Sequence, residues 1–524
     1  MSATKKLHLS GACLAIVLII ASCDSSRKNA TENYSIAATA DAVEESQEKF
    51  NTESYNLVAE NEFKNALENP FSTFSIDVDG ASYSNTRRFI SQNQLPPKDA
   101  VRVEEFVNYF EYDYPQPTDN KPFNVITNSA ACPWNEQHQL VQIALQGKKI
   151  PFEELPSCNL VFLVDVSGSM DTETKLPLVK RSLKALTKQL RSRDHIALVV
   201  YAGAAGQVLP STSGEEKDKI EDAIDNLKAG GSTAGGAGLE LAYKIAEENF
   251  ESKSSNRIIL CTDGDFNIGA SSDAEMTRLI ESKRDAGIYI TVLGFGMGNY
   301  KDSKMETIAD HGNGNYFYID NYDEAKKVLV TQLDGTLYTI AKDVKIQVEF
   351  NPALVKSYRL IGYENRAMNK EDFANDKKDA GEIGAGHTVT AFYEVDLKND
   401  ADKNTTADAS TSKYSETKIK TEAMTTDELM TVYLRYKLPD ENTSTELNAV
   451  IKNERNNFEN TTDDFRFAAA VVQYAMLLRD SQFKGTANLK QVVETAKASK
   501  GEDENDYRKD FIEMVEETEG LMKE

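Results

Sequence analysis

The central part of the chain alternates between short apolar runs and amphipathic helical patterns. Two apolar runs of strand length, 159–164 and 195–201, are separated by leucines and a valine at helical spacing over 176–190. The same alternation continues as far as a last helical pattern over 323–337. Further strands are predicted at 206–210, 257–261, 288–294 and 316–319, and further helices at 220–227, 239–250, 273–285 and 303–310. Strands and helices in this order predict a doubly wound α/β fold with a mostly parallel sheet.

Side chains that carry oxygen follow several of these strands. Asp165, Ser167 and Ser169 come directly after the first strand of this region. Thr233 lies in a glycine-rich segment just before a helix, and Asp263 follows the strand predicted at 257–261. Sites in doubly wound sheets form in the loops at the carboxyl ends of the strands. Carboxylate and hydroxyl oxygens are the ligands that Mg²⁺ prefers, so the sequence predicts a magnesium site at this edge.

This series of motifs resembles the von Willebrand factor type A (VWA) domain and its metal-ion-dependent adhesion site, which reads D-x-S-x-S, then Thr, then T-D-G. The resemblance implies that Ser167 and Ser169 bind the ion directly and that Thr233 does so in one state. It also implies that Asp165 and Asp263 hold the ion largely through water. Mg²⁺ is expected, with Mn²⁺ or Ca²⁺ as alternatives. A remaining coordination position would take an Asp or Glu carboxylate of an unknown partner protein. The alternative is an intact fold with a vestigial site.

Three other segments, 74–83, 294–300 and 312–320, resemble a bacterial subfamily of VWA lipoproteins. In that subfamily the VWA domain lies between an N-terminal and a C-terminal module. The resemblance and the composition of the chain together predict five parts: a lipoprotein signal peptide at 1–22, a lipidated flexible tether at 23–68, an N-terminal VWA-associated module at 69–155, the VWA domain at 156–340, and a C-terminal module, β-rich and then helical, at 341–524.

The first residues have the pattern of a targeting segment. Lys5 and Lys6 precede an apolar stretch over 11–21, which has the length of a signal peptide core and is too short for a stable membrane span. The residues from Ile20 to Cys23 resemble a bacterial lipobox. This resemblance implies that Cys23 is lipidated and anchors the chain in the cell envelope of a Gram-negative bacterium, at the outer membrane or the periplasmic face. The alternative is an ordinary signal peptide with a chance cysteine.

Period-two patterns flank the central domain and predict β-strands within 123–145 and within 341–436. We expect these strands to pair into one β-sandwich that carries the VWA domain as an insertion. Between the later strands, 366–425 is hydrophilic and is predicted to be rich in loops. An apolar helix is predicted over 465–479, and the last twenty residues are expected to form an acidic, solvated helix.

Composition narrows the class of protein. The 524-residue chain has a formal net charge of −25, which disfavours binding to nucleic acid because phosphate backbones are repelled. Its mean hydropathy of −0.49 excludes a protein with many membrane spans. After Cys23, the cysteines are Cys132, Cys158 and Cys261, which allow at most one disulfide; a pair between the first two is conceivable, and the third is expected in the core.

A binding protein without enzymatic activity is therefore expected, and two other classes of protein are the alternatives. The segment Asp77-Val78-Asp79 follows a predicted strand and resembles the nucleophile loop of haloacid-dehalogenase-type phosphatases, which use Mg²⁺. Position 81 is Ala where a hydroxyl residue is usual, and no doubly wound sheet follows before the central domain. These features favour turn and cap roles for the two aspartates. The other class is an assembly factor with a vestigial metal site.

Overall fold

A computed structural model describes residues 53–76, 79–119, 121–232, 235–264, 266, 273–298, 300–399 and 418–523. Several predictions fall outside these residues: the signal peptide at 1–22, Cys23 and most of the tether, Asp77 and Thr233. Within the described part of the chain, no helix combines the length and the apolar character needed to cross a bilayer.

The described strands are β1 (Lys64–Asn65), β2 (Phe71–Ser75), β3 (Phe123–Cys132), β4 (Asn135–Gly147), β5 (Cys158–Asp165), β6 (His195–Tyr201), β7 (Ala205–Ser213), β8 (Ser255–Thr262), β9 (Tyr289–Phe295), β10 (Tyr316–Ile319), β11 (Thr339–Phe350), β12 (Val355–Ile361), β13 (Ala367–Met368), β14 (Gly381–Gly384), β15 (Thr388–Leu397), β16 (Glu428–Lys437) and β17 (Thr445–Lys452).

The described α-helices are α1 (Ala81–Ser91), α2 (Val103–Asn108), α3 (Leu176–Gln189), α4 (Lys217–Asp225), α5 (Gly235–Glu248), α6 (Asp273–Asp285), α7 (Asp302–His311), α8 (Tyr322–Lys326), α9 (Leu333–Leu337), α10 (Thr421–Thr425), α11 (Asp463–Leu478), α12 (Leu489–Ala498) and α13 (Tyr507–Leu521). A turn of π-helix, Lys327–Thr331, joins α8 to α9, so the helix predicted over 323–337 is interrupted.

The central domain is a twisted sheet with strand order β10-β9-β8-β5-β6-β7. All neighbouring pairs are parallel except β6 and β7, which run antiparallel at one edge. Every residue of β5 is buried, as expected for a strand that is covered on both faces. One face packs on α3, α4 and α8, and the other on α5, α6 and α7. The predicted doubly wound, Rossmann-like fold is confirmed.

The strands on either side of this domain form a second body of two antiparallel sheets. One sheet has the order β1-β12-β15-β4-β3 and the other β13-β2-β11-β16-β17, with β14 beside β11. In the first sheet Ala144 pairs with Thr390, and in the second Phe74 pairs with Ile346, so each sheet joins strands from before and after the central domain. The two sheets share one apolar core. The central domain is therefore inserted into a sandwich, between β4 and β11, as the flanking patterns predicted.

Strand β15 corrects one prediction, because it lies inside 366–425, the segment that was expected to be rich in loops. It occupies the middle of its sheet, between β12 and β4, and its first eight residues are almost all buried. The polar residues on both sides lower the average hydropathy of the segment and hide this strand.

A cluster of helices forms the remaining core. Aromatic side chains of α1, α2, α11 and α13 meet there, with Tyr83 and Phe106 from the N-terminal part and Phe467 and Phe511 from the C-terminal part. The prediction of a solvated last helix is wrong in part, since α13 buries one apolar face against this cluster. Its acidic residues dominated the composition and masked the helical spacing of the apolar ones.

Residues 53–65, placed in the tether by the sequence analysis, lie against the body of the protein. The Glu53 carboxylate accepts hydrogen bonds from both terminal nitrogens of Arg88, each at 2.9 Å, and one from the Gly298 amide at 2.9 Å. The amide of Ser54 donates to the carbonyl of Tyr300 at 3.1 Å. Strand β1 then pairs with β12. This segment therefore contacts both the central domain and the sandwich.

Candidate functional site

The candidate site begins at the carboxyl end of β5, where Asp165 is fully buried. Its Oδ1 accepts a hydrogen bond from the amide of Ser167 at 2.8 Å, which closes the turn after the strand. Its Oδ2 is buried and makes no hydrogen bond of ordinary geometry to a described residue, although the buried hydroxyl of Tyr201 lies near enough to the carboxylate to favour its charged form. Burial raises the pKa of the Asp165 carboxyl to about 6, and the negative charge of Asp263 adds to the same effect. A buried carboxylate oxygen without a donor is costly unless a cation accompanies it.

Two hydroxyls lie beside this carboxylate on the same turn. The Oγ atoms of Ser167 and Ser169 are 3.0 Å apart, and Ser167 is buried while Ser169 is exposed. The pair therefore spans from the buried carboxylate to the protein surface. A ligand that reaches Ser169 from solvent has a short polar route to Asp165.

Backbone hydrogen bonds bring the glycine-rich segment to the serine turn. The amide of Gly168 donates to the carbonyl of Gly231 at 3.1 Å, and the amide of Gly230 donates to the carbonyl of Val166 at 2.7 Å. Gly231 has a φ of +90°, a conformation that favours glycine. Thr233 itself lies outside the described residues, although the two preceding glycines are held at the site.

Asp263 approaches from the neighbouring strand β8, which pairs with β5 so that Val164 lies opposite Cys261. Its carboxylate is fully buried. The Nζ of Lys175 donates to its Oδ2 at 2.8 Å and forms a buried ion pair, with 9% of the lysine side chain exposed. The structure thus gathers Asp165, Ser167 and Ser169 with Asp263 at one sheet edge.

Lys175 belongs to the site and was missed by the sequence analysis. It precedes α3, and its amide donates to the carbonyl of Thr172 at 3.0 Å. Its side chain passes Gly296, whose φ is +78° and where a Cβ atom would overlap the lysine Cε. The available signal was a lysine between the serine turn and a predicted helix, which does not by itself specify a contact with Asp263.

Other predicted groups lie elsewhere. Asp79 is 3% exposed; its Oδ1 accepts from the amide of Tyr316 at 2.8 Å and its Oδ2 from Arg366 at 3.3 Å, which is a structural use of the carboxylate. Cys132, Cys158 and Cys261 are free and buried, so the conceivable disulfide between the first two is absent. Across the described ranges, no cluster of three or more His, Cys, Asp or Glu side chains is placed to hold a metal ion. The candidate site relies instead on two carboxylates and two hydroxyls.

Comparison with known proteins identifies the relatives of the chain. A protein from Escherichia coli strain K12, named YfbK, is 42% identical over 477 residues, covering 90% of this chain and 82% of that protein. The chain belongs to the YfbK family. Family models match three segments of this YfbK-family chain: "von Willebrand factor" at 49–142, "von Willebrand factor type A domain" at 159–331, and "Uncharacterized protein YfbK, C-terminal" at 335–521. The central domain is therefore a VWA domain, as the motifs indicated.

More distant similarities are also found. Human inter-alpha-trypsin inhibitor heavy chain H3 is 22% identical over 46% of this YfbK-family chain and 28% of its own length. A solved structure of a von Willebrand factor type A protein from Catenulispora acidiphila is 17% identical, with a TM-score of 0.42, and covers 78% of this chain and 91% of its own. VWA domains commonly mediate protein–protein interaction.

Proposed function

We propose that this chain is an envelope-anchored, protein-binding lipoprotein that grips a partner carboxylate through a divalent cation. The observation that carries the proposal is the buried Oδ2 of Asp165, which makes no hydrogen bond of ordinary geometry to a described residue. The hydroxyls of Ser167 and Ser169 lie on the same turn, and one of them reaches the surface.

The donor set fits Mg²⁺, with Mn²⁺ or Ca²⁺ as alternatives, because it offers only carboxylate and hydroxyl oxygens. Ser167 and Ser169 would hold the ion directly, and Asp165 and Asp263 would do so largely through water, as the VWA resemblance implies. Thr233 is the fifth group of this proposal, on the same ground. When bound, such an ion supplies a positive charge that attracts an anionic side chain. The residues of the site would hold this positive charge at the surface of a protein whose net charge is negative.

A partner with one accessible Asp or Glu suits this site better than a broadly acidic one. The formal net charge of −25 repels a partner that is acidic over its whole surface. Lipidation of Cys23 would provide the membrane attachment. Scaffolding of envelope complexes is a form of the same binding role. The phosphatase alternative gains no support from Asp79, whose carboxylate oxygens bind a backbone amide and a guanidinium group.

The test is capture of partners from detergent-solubilised envelope with the full chain immobilised. Wild type and Asp165→Ala are each used with Mg²⁺ and with EDTA. We expect a protein that is retained only by wild type and only with Mg²⁺. Asp171→Ala is the matched control, because Asp171 is an exposed carboxylate close to the serine turn, and it should behave as wild type. Equal retention in all arms would reject the metal-dependent function.

A further inference from the structure

The ion pair between Lys175 and Asp263 places a cation of the protein itself at the candidate metal site. The Nζ of Lys175 is 2.8 Å from Oδ2 of a carboxylate that is fully buried. Ammonium groups and divalent cations compete for the same carboxylate oxygens. An ion entering the site must either displace this ammonium group or tolerate a positive charge beside it.

The residues around Lys175 leave space for its side chain. Gly296 borders the side chain, and a Cβ atom there would overlap the lysine Cε. The loop after β9 therefore leaves the space that the Lys175 side chain fills. The backbone of Lys175 is also fixed, because its carbonyl accepts a hydrogen bond from the amide of Val179 at 2.9 Å in the first turn of α3.

The two carboxylates at the site, Asp165 and Asp263, differ in their charge partners. Asp263 has the lysine as its counter-charge, while the Oδ2 of Asp165 makes no hydrogen bond of ordinary geometry to a described residue. One of the two negative charges available to an ion is thus already compensated. This arrangement weakens the electrostatic attraction of the site for a divalent cation. The negative charge of Asp165, beside the serine hydroxyls, is the charge that no protein cation compensates.

We infer that Lys175 is an affinity-determining residue, a built-in competitor that weakens divalent-cation binding and keeps the ion exchangeable. The inference rests on the proposed metal site. Removing the lysine charge exposes the full charge of Asp263 to the ion, so affinity should rise. Disruption of close charge pairs in desolvated surroundings changes affinity by tenfold or more in comparable cases, so we expect an increase of about tenfold.

The experiment is a titration of the full chain with Mn²⁺, with free ion measured by electron paramagnetic resonance. Wild type is compared with Lys175→Gln, Lys175→Met, Asp165→Ala and Lys188→Gln. The last variant removes an exposed lysine from α3 and serves as the matched control. Thermal melts of each variant verify folding.

Tighter binding by both Lys175 variants, no change in Lys188→Gln and loss in Asp165→Ala is the expected result. Equal affinity of wild type and the Lys175 variants would overturn the inference while leaving the metal site intact. Absence of Mn²⁺ binding in every variant, including Lys175→Gln, would overturn both the inference and the proposed function.

Discussion

Phe74 lies opposite Ile346 in one antiparallel sheet, although the whole VWA domain separates them in the chain. On its other side, Ile346 pairs with Leu434. The sandwich is therefore completed only by strands from both ends of the sequence. The chain enters and leaves the VWA domain at neighbouring places, since a Cβ on Gly147 would lie 3.2 Å from Cδ1 of Ile340. An inserted domain with nearby ends is expected to fold without its host.

The first prediction concerns this independence. A fragment spanning 150–340 contains both apolar cores of the VWA sheet almost completely, so it should fold and melt in one cooperative transition. Circular dichroism and thermal unfolding measure this directly. A fragment ending at 320 lacks the closing helical segment with Ala325, Val328 and Leu333, which are buried in one of the cores, and should be much less stable. A fragment 150–340 that stays unfolded would contradict the insertion.

The second prediction concerns Asp165, whose buried Oδ2 makes no hydrogen bond of ordinary geometry to a described residue. Without divalent ions, Asp165→Asn removes a buried charge and should raise the free energy of unfolding by about 1–2 kcal/mol. With Mg²⁺ at roughly one hundred times its Kd, wild type should gain about 2–3 kcal/mol, and the variant should gain far less. Denaturant unfolding with Mg²⁺ and with EDTA gives both values.

The exposed Asp171 provides the control for this experiment. Asp171→Asn should leave the stability in EDTA and the gain with Mg²⁺ as in wild type. A destabilised Asp165→Asn variant in EDTA would show that the carboxylate is satisfied without an ion.

The third prediction compares two glycines of the loop after β9. Gly296 and Gly298 have φ values of +78° and +94°, so alanine at either position costs about 1 kcal/mol of backbone strain. At Gly296 the new methyl group also collides with the Lys175 side chain, whereas at Gly298 a Cβ meets nothing within 4 Å. Gly296→Ala should therefore lower the thermal midpoint clearly more than Gly298→Ala. Equal losses would contradict the close passage of Lys175.

The fourth prediction concerns pH. Lys327 lies in the π-helical turn, 3% exposed, and burial lowers the pKa of its ammonium group to about 7. Its Nζ donates to the carbonyl of Tyr109 at 2.6 Å. Between pH 7 and about 10.5 the unfolded chain binds a proton at this lysine that the folded chain has lost, so folded stability rises with pH in this window.

Lys327→Met should flatten this rise. The stability of the variant relative to wild type should be greatest at pH 7 and below, by roughly 2 kcal/mol or more, and smallest near pH 10. Lys326→Met removes the exposed neighbour and should keep the wild-type pH profile. Urea unfolding between pH 6 and pH 10 compares the three proteins. A wild-type slope in Lys327→Met would contradict a buried, readily deprotonated lysine.

Much of the fold follows from local patterns in the sequence. The apolar run of β5 and the leucine spacing of α3 are strong short-range signals, and their order predicts the parallel sheet. The same order places Asp165, Ser167 and Asp263 at one edge. Strand β15 was not predicted because polar residues surround it in the sequence. Its pairing with β12 and β4 stabilises it in the sheet, and that pairing joins segments that are distant in the chain.

The role of Lys175 could not be predicted for a related reason. Its contact with Asp263 depends on the path that Gly296 leaves open, and these three residues come from three separate loops. Sequence spacing indicates which residues end a strand, but it does not give the direction of a long flexible side chain between them. The positive charge that Lys175 brings to the site can therefore be recognised only in the folded structure.

The most direct test of the proposed metal site is anomalous X-ray scattering from crystals grown with Mn²⁺. We expect a single strong peak beside the hydroxyl oxygens of Ser167 and Ser169, with the Nζ of Lys175 withdrawn from Asp263. Crystals with no peak at these side chains, and with Lys175 still bound to Asp263, would contradict the central claim that this sheet edge holds a divalent cation.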